Sequence, residues 1–167
     1  PWDFSLKAKR DKARKQLREQ TPYMLIGSPM CTHFSTWQAL NLAMSKDAGA
    51  MLRARAAAVV HIDFVASLYE GQRAGGRYFL HEPPKYATSW DLESMVHLAA
   101  APDVLLARGD QCQFGAEIMD GPDQGRPLKK PSGFLTNSQC VFDALSRRCV
   151  GTAGDCSRPR GGKHGLC

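Results

Sequence analysis

Short, continuously apolar runs alternate along this chain with longer stretches of helical period. Tyr23 to Gly27 predicts a strand, and because it is apolar on both faces it predicts a buried one. Arg77 to His81 and Val104 to Ala107 predict two more. Lys7 to Gln20 predicts a helix with Leu6, Ala13 and Leu17 as a sparse apolar stripe, broken by Thr21-Pro22. Ser35 to Ser45 predicts a helix with Trp37, Leu40 and Met44 turned to the core. Ala48 to Arg73 predicts the longest helix, with Leu52, Val59, Ile62, Val65, Ala66 and Tyr69 on its buried side and Gly75-Gly76 as its stop. Asp91 to Ala99, capped by Ser89 or Asp91, and Val141 to Arg148 predict shorter helices. Gln111 to Ala116 and Phe134 to Thr136 predict short strands joined by a Gly- and Pro-rich stretch at 120–127. Strands alternating with helices imply an α/β fold with a mostly parallel sheet. From Gly151 the apolar period is lost, so the chain divides into a folded core at 1–150 and a basic Gly/Cys-rich tail at 151–167.

Composition narrows the class. Hydrophobic residues make up 43% and charged residues 23%, the balance of a globular domain with its own core. No apolar run reaches the length of a membrane span, and the first residues do not read as a signal peptide, so no membrane partner is expected. The six cysteines are then expected to be reduced thiols in an intracellular setting, nucleus or cytoplasm. The net charge of +6 is unevenly spread. Residues 1–20 hold seven basic and three acidic groups, and residues 126–167 hold eight and two. Basic ends around an acidic centre suit a polyanion-facing surface, although a solvated helix face with a basic tail gives the same count.

In an open α/β sheet, chemistry sits in the loops beyond the carboxyl ends of the strands. Gly27-Ser28-Pro29-Met30-Cys31 follows the first strand and presents a thiol where the next helix is predicted to start, where the helix dipole favours a thiolate. Cys31 is therefore the candidate nucleophile; the competing reading is a cysteine acting as a small buried hydrophobe. Glu82, followed by Pro83-Pro84, ends the second strand and is a candidate proton donor. It would open on the same sheet edge as Cys31. Lys129 and Lys130, on a Pro-bounded segment, could present charge to a nucleic-acid strand.

These residues carry a resemblance. Pro29-Met30-Cys31-Thr32-His33-Phe34-Ser35 resembles the Pro-Cys-x-x-Phe-Ser loop of the DNA (cytosine-5) methyltransferases. Leu80-His81-Glu82-Pro83 is similar to that family's second strand-end motif. Asp110 to Gly115, followed by Lys129-Lys130-Pro131-Ser132-Gly133-Phe134-Leu135-Thr136-Asn137, resembles the distal region of phage-like members and of methyltransferase-like domains in retroelement polyproteins. The resemblance covers about residues 1–150. It implies a Rossmann-like methyltransferase core, N-terminally truncated, because the family's Gly-rich cofactor loop precedes this region. It implies S-adenosylmethionine as cofactor, with Asp3 near its adenine ring and Ser28 and Pro29 beside it. It implies Cys31, Glu82 and Lys130 as catalytic residues. It also implies Lys129, Lys130 and Asn137 as contacts to DNA, with RNA as the alternative partner. Two departures stand out: Met30 replaces a common Pro, and Pro83 replaces the Asn after the glutamate. The alternative classes are a non-enzymatic nucleic-acid-binding domain of a retroelement polyprotein and a cysteine hydrolase using His33 or His81 as base.

The last cysteines are weighed separately. Cys140, Cys149, Cys156, His164 and Cys167 are spaced by 9, 7, 8 and 3, and only His164/Cys167 forms the tight pair that zinc sites favour. No metal ligand set is assigned on that spacing, and zinc in the tail is the minority expectation.

Overall fold

The computed structural model describes residues 2–45, 47–159 and 161–165. Among these residues five helices and four strands follow the order α1 (Lys7–Gln20), β1 (Met24–Gly27), α2 (Gln38–Met44), α3 (Ala48–Ala74), β2 (Tyr78–His81), α4 (Glu93–Ala99), β3 (Leu105–Asp110), β4 (Pro131–Thr136) and α5 (Gln139–Leu145). The α/β class expected from the sequence is what forms.

The strands make one sheet in the order β1-β2-β4-β3. Only β1 and β2 pair in parallel; β4 is antiparallel to both β2 and β3. The expectation of a mostly parallel sheet is therefore corrected to a mixed one. The reason lies in the connections. A parallel neighbour needs a crossover, which α3 supplies between β1 and β2. Residues 111–130 supply only a 3₁₀ turn at Gln111–Phe114 and a turn-rich loop, so the chain comes back antiparallel. That 3₁₀ turn replaces the strand expected at Gln111 to Ala116. β1, β2 and β3 still point the same way, with β4 reversed between β2 and β3.

The core lies between the sheet and the pair α3 and α4. Ile62, Ala66 and Tyr69 of α3 meet Phe79, Leu135, Met95 and Leu98, all nearly inaccessible. Asp47 caps α3 by accepting the Ala50 N–H at 2.8 Å. Gly76, at φ +65°, completes the stop that Gly75-Gly76 predicted. Gly27 is required where α3 crosses β1, since a Cβ there would lie 2.1 Å from the Tyr69 hydroxyl.

Several burial expectations fail at the margins. β1 is an edge strand, and Ile26 is 67% exposed. Trp37, just before α2, Leu40 and Met44 of α2 and Leu52 of α3 are exposed, so these apolar positions stay uncovered although α2 packs against α3. Neither Ser89 nor Asp91 caps α4; both lie in a separate 3₁₀ turn at Thr88–Asp91. Among the described residues no helix is long and apolar enough to cross a membrane.

Candidate functional site

The parallel pairing of β1 and β2 brings the two strand-end loops together. Gly27 is in register with His81, and the Glu82 N–H donates to the Gly27 carbonyl at 3.0 Å. The Ser28 hydroxyl donates to Glu82 Oε2 at 2.8 Å. On the other side, Ser132 of β4 donates to Glu82 Oε1 at 2.9 Å, and Gln111 Nε2 reaches Ser132 Oγ at 3.0 Å. Ser132 is fully buried. The carboxyl group is thus held by the β1 loop and β4, with Gln111 of the turn after β3 backing Ser132 and lying 3.5 Å from Oε1. Pro83 and Pro84 stiffen the loop behind it, and the Pro83 carbonyl accepts from the Gly133 N–H at 3.1 Å.

Cys31 is half-buried in the β1 loop, immediately before a 3₁₀ turn at Thr32–Phe34. The α-helix expected there begins only at Gln38, so no α-helix dipole is aligned on the thiol. Phe34 anchors the loop instead. Its side chain is wholly buried, and Arg55 donates to the His33 carbonyl at 2.7 Å while lying over the Phe34 ring.

His81, the residue before Glu82, is buried with 0% exposure, and its Nδ1 lies 3.2 Å from the Tyr69 hydroxyl. Burial lowers the imidazole pKa to about 4 and raises that of the Tyr69 phenol. An inaccessible imidazole cannot reach a substrate, so His81 is not the base a hydrolase would need.

The remaining expected site residues divide. Ser28 and Pro29 line a cleft of about 670 Å³ between α1, β1 and α3, together with Trp2 and Phe4, the two neighbours of Asp3. Asp3 itself is exposed, and hydrogen bonds from the Ser5 hydroxyl and N–H lower its pKa. Lys129 and Lys130 are exposed on the segment leading into β4, and the Lys130 carbonyl accepts from the Gln111 N–H. Asn137 lies at the opposite end of the sheet. Its amide accepts from the Phe79 N–H and donates to the Arg77 carbonyl, both at 2.9 Å, extending the ladder beside β2.

A second gathering takes in Cys149, Cys156 and His164 of the tail set weighed for zinc and adds Cys112, which the spacings did not offer. Cys112, Cys149, Cys156 and His164 place their ligand atoms within 4.8 Å of one another, a set that could hold a metal ion. The three thiols are buried. Cys112 comes from the turn after β3, 37 positions before Cys149, so no local motif announces it. Burial raises the Cys112 thiol pKa to about 11. Burial also acts upward on Cys149, but N–H groups of Ser157 and Gly151 outweigh it and bring that thiol down to about 6. Cys140 is exposed on α5 and takes no part; the expected His164/Cys167 pair lies partly outside the described residues. No protein-family model, no curated protein and no solved structure matches this chain.

Proposed function

We propose that the edge carrying Cys31 and Glu82 is the reaction site of a cytosine-5 methyltransferase-like domain acting on DNA. The observation that carries this reading is the Ser28–Glu82 hydrogen bond, which ties the thiol-bearing loop to the carboxyl-bearing one. Three of the four strands run the same way, in keeping with a Rossmann-like core.

The chemistry asks for a soft nucleophile on one side of a flipped ring and a carboxyl group along its edge. Cys31 would add as the thiolate to C6 while Glu82, in its protonated form, gives its proton to N3, so that charge does not build on the ring; departure of the C5 proton would later release Cys31. In its neutral form the carboxyl group has one O–H to donate, and Oε2, which already accepts from Ser28, can turn that proton towards N3. S-adenosylmethionine, when bound, supplies the methyl group. The apolar cleft bordered by Trp2, Phe4, Ser28 and Pro29 is of the size such ligands occupy. Lys129 and Lys130, exposed beside the turn that carries Gln111, would meet the phosphate backbone.

The test is covalent trapping on DNA containing 5-fluorocytosine with S-adenosylmethionine. Fluorine blocks the final elimination, so an adduct should accumulate, vanish in Cys31→Ser, and form at least about 100-fold more slowly in Glu82→Gln. Salt-sensitive DNA binding with no adduct would overturn the enzymatic reading and leave a non-enzymatic nucleic-acid-binding domain.

A further inference from the structure

We propose that Cys112, Cys149, Cys156 and His164 form a structural zinc site that staples the C-terminal segment onto the end of β3. The proposal is independent of the methyltransferase reading and rests on four observations.

The first is distance. A tetrahedral Zn²⁺ with Zn–S of about 2.3 Å and Zn–N of about 2.0–2.1 Å separates two sulfurs by about 3.8 Å and a sulfur from a nitrogen by about 3.6 Å. Here Cys149 Sγ lies 4.0 Å from Cys156 Sγ and 3.6 Å from His164 Nε2. A disulfide would bring the two sulfurs to about 2.05 Å.

The second is the outer shell of the histidine. His164 Nδ1 lies 2.7 Å from the Gly154 carbonyl. The proton shared with that carbonyl must sit on Nδ1, which leaves the Nε2 lone pair facing Cys149. This is the arrangement of zinc-bound histidines.

The third concerns the sulfurs. Gln113 Nε2 points at Cys156 Sγ at 3.4 Å and at Cys112 Sγ at 3.6 Å. The Ser157 N–H points at Cys149 Sγ at 3.4 Å. Every sulfur therefore faces an N–H donor, as thiolates do. On binding, the thiol protons leave to solvent, and three thiolates with a neutral imidazole give a site of net charge −1.

The fourth is scaffolding. The buried Asp110 carboxylate accepts the Cys149 N–H at 2.8 Å and Arg148 Nε at 3.0 Å, which fixes Cys149 against the end of β3. The Cys156 N–H donates to the Gly162 carbonyl and the His164 N–H to the Gly154 carbonyl, folding the segment into a tight knuckle. Four side-chain donors make the set closed, as structural zinc sites are.

The test uses the whole chain expressed with added zinc. Native mass spectrometry should find one zinc per chain, and Co²⁺ exchange should give sulfur-to-cobalt charge-transfer bands with the intense d–d absorption of tetrahedral cobalt. Cys156→Ser and His164→Ala should weaken Co²⁺ binding by more than about 100-fold, beyond what loss of an outer-shell partner costs. Cys140→Ser should bind as the parent does. Should the ligand variants fail to fold, the parent and Cys140→Ser still decide the matter. A folded, metal-free parent with no cobalt spectrum would overturn the proposal, as would a disulfide joining any two of the three cysteines.

Discussion

His81 makes the fold sensitive to mild acid, and the size of the effect follows from its surroundings. The imidazole is buried with 0% exposure, and its Nε2 has no hydrogen-bond partner among the described residues. A second proton would place an unpaired charge behind Tyr69 and Trp90, whose rings pack at its edges. The pKa falls from 6.5 to about 4, with burial as the cause. A base whose folded value lies below its unfolded one stabilises the fold fully above the unfolded value, and that stability drains away as pH falls from 6.5 towards 4. By linkage the loss between about pH 7 and about pH 4.5 is roughly 2.5 kcal/mol from this residue alone. The assay is urea unfolding of the parent and His81→Gln across that range, at constant metal loading. Gln cannot titrate, so the parent should lose about 2.5 kcal/mol more than the variant over the interval. The difference cancels contributions that both proteins share, including acid release of any bound metal. A stability gap between the two proteins that does not change with pH would refute the reasoning.

Two further predictions concern packing. Gly27→Ala should destabilise by about 1–3 kcal/mol in urea unfolding, because its Cβ would meet the Tyr69 hydroxyl 2.1 Å away. Adding Tyr69→Phe removes the clashing oxygen and should recover part of that loss; no recovery would place the strain elsewhere. Asn137→Ala strips the Phe79 N–H and the Arg77 carbonyl of their partners, and thermal unfolding should report a loss of about 1–3 kcal/mol. If Asn137 served DNA alone, that variant would bind weakly and melt like the parent.

Elements with strong period were legible in the sequence: Lys7–Gln20 and Ala48–Ala74 form within one residue of the expected bounds. The meeting of Ser28 and Glu82 was half legible. Shared direction of β1 and β2 could be inferred from the helix between them, but the two fixing groups, Ser132 from β4 and Gln111 from the turn after β3, could not. They arrive through antiparallel insertion of β4, a tertiary choice with no local signature. Trp37 and Met44 show the opposite failure, since apolar period marks a face without saying whether anything covers it. Of the cysteine cluster, Cys149, Cys156 and His164 were among the residues the tail offered for zinc, but Cys112 was not, because spacing rules weigh neighbours in sequence and it joins from the far side of a turn-rich loop.

The place of β4 bears on how the sheet is assembled. It is the last strand along the chain yet lies between β2 and β3, with five of its six residues buried. During synthesis β1 and β2 can pair once β2 has followed α3 out, but β2 then keeps one bare edge until residues 131–136 emerge. β3 has no sheet to join before that moment, because all its ladder bonds go to β4. The nascent domain therefore passes through a stage with an open strand edge beside unfinished chain, the condition in which a wrong strand from another copy can pair. A ribosome stalled before residue 131 should hold a protease-sensitive β3 and a partner-seeking β2, and both should close together once β4 has cleared the exit.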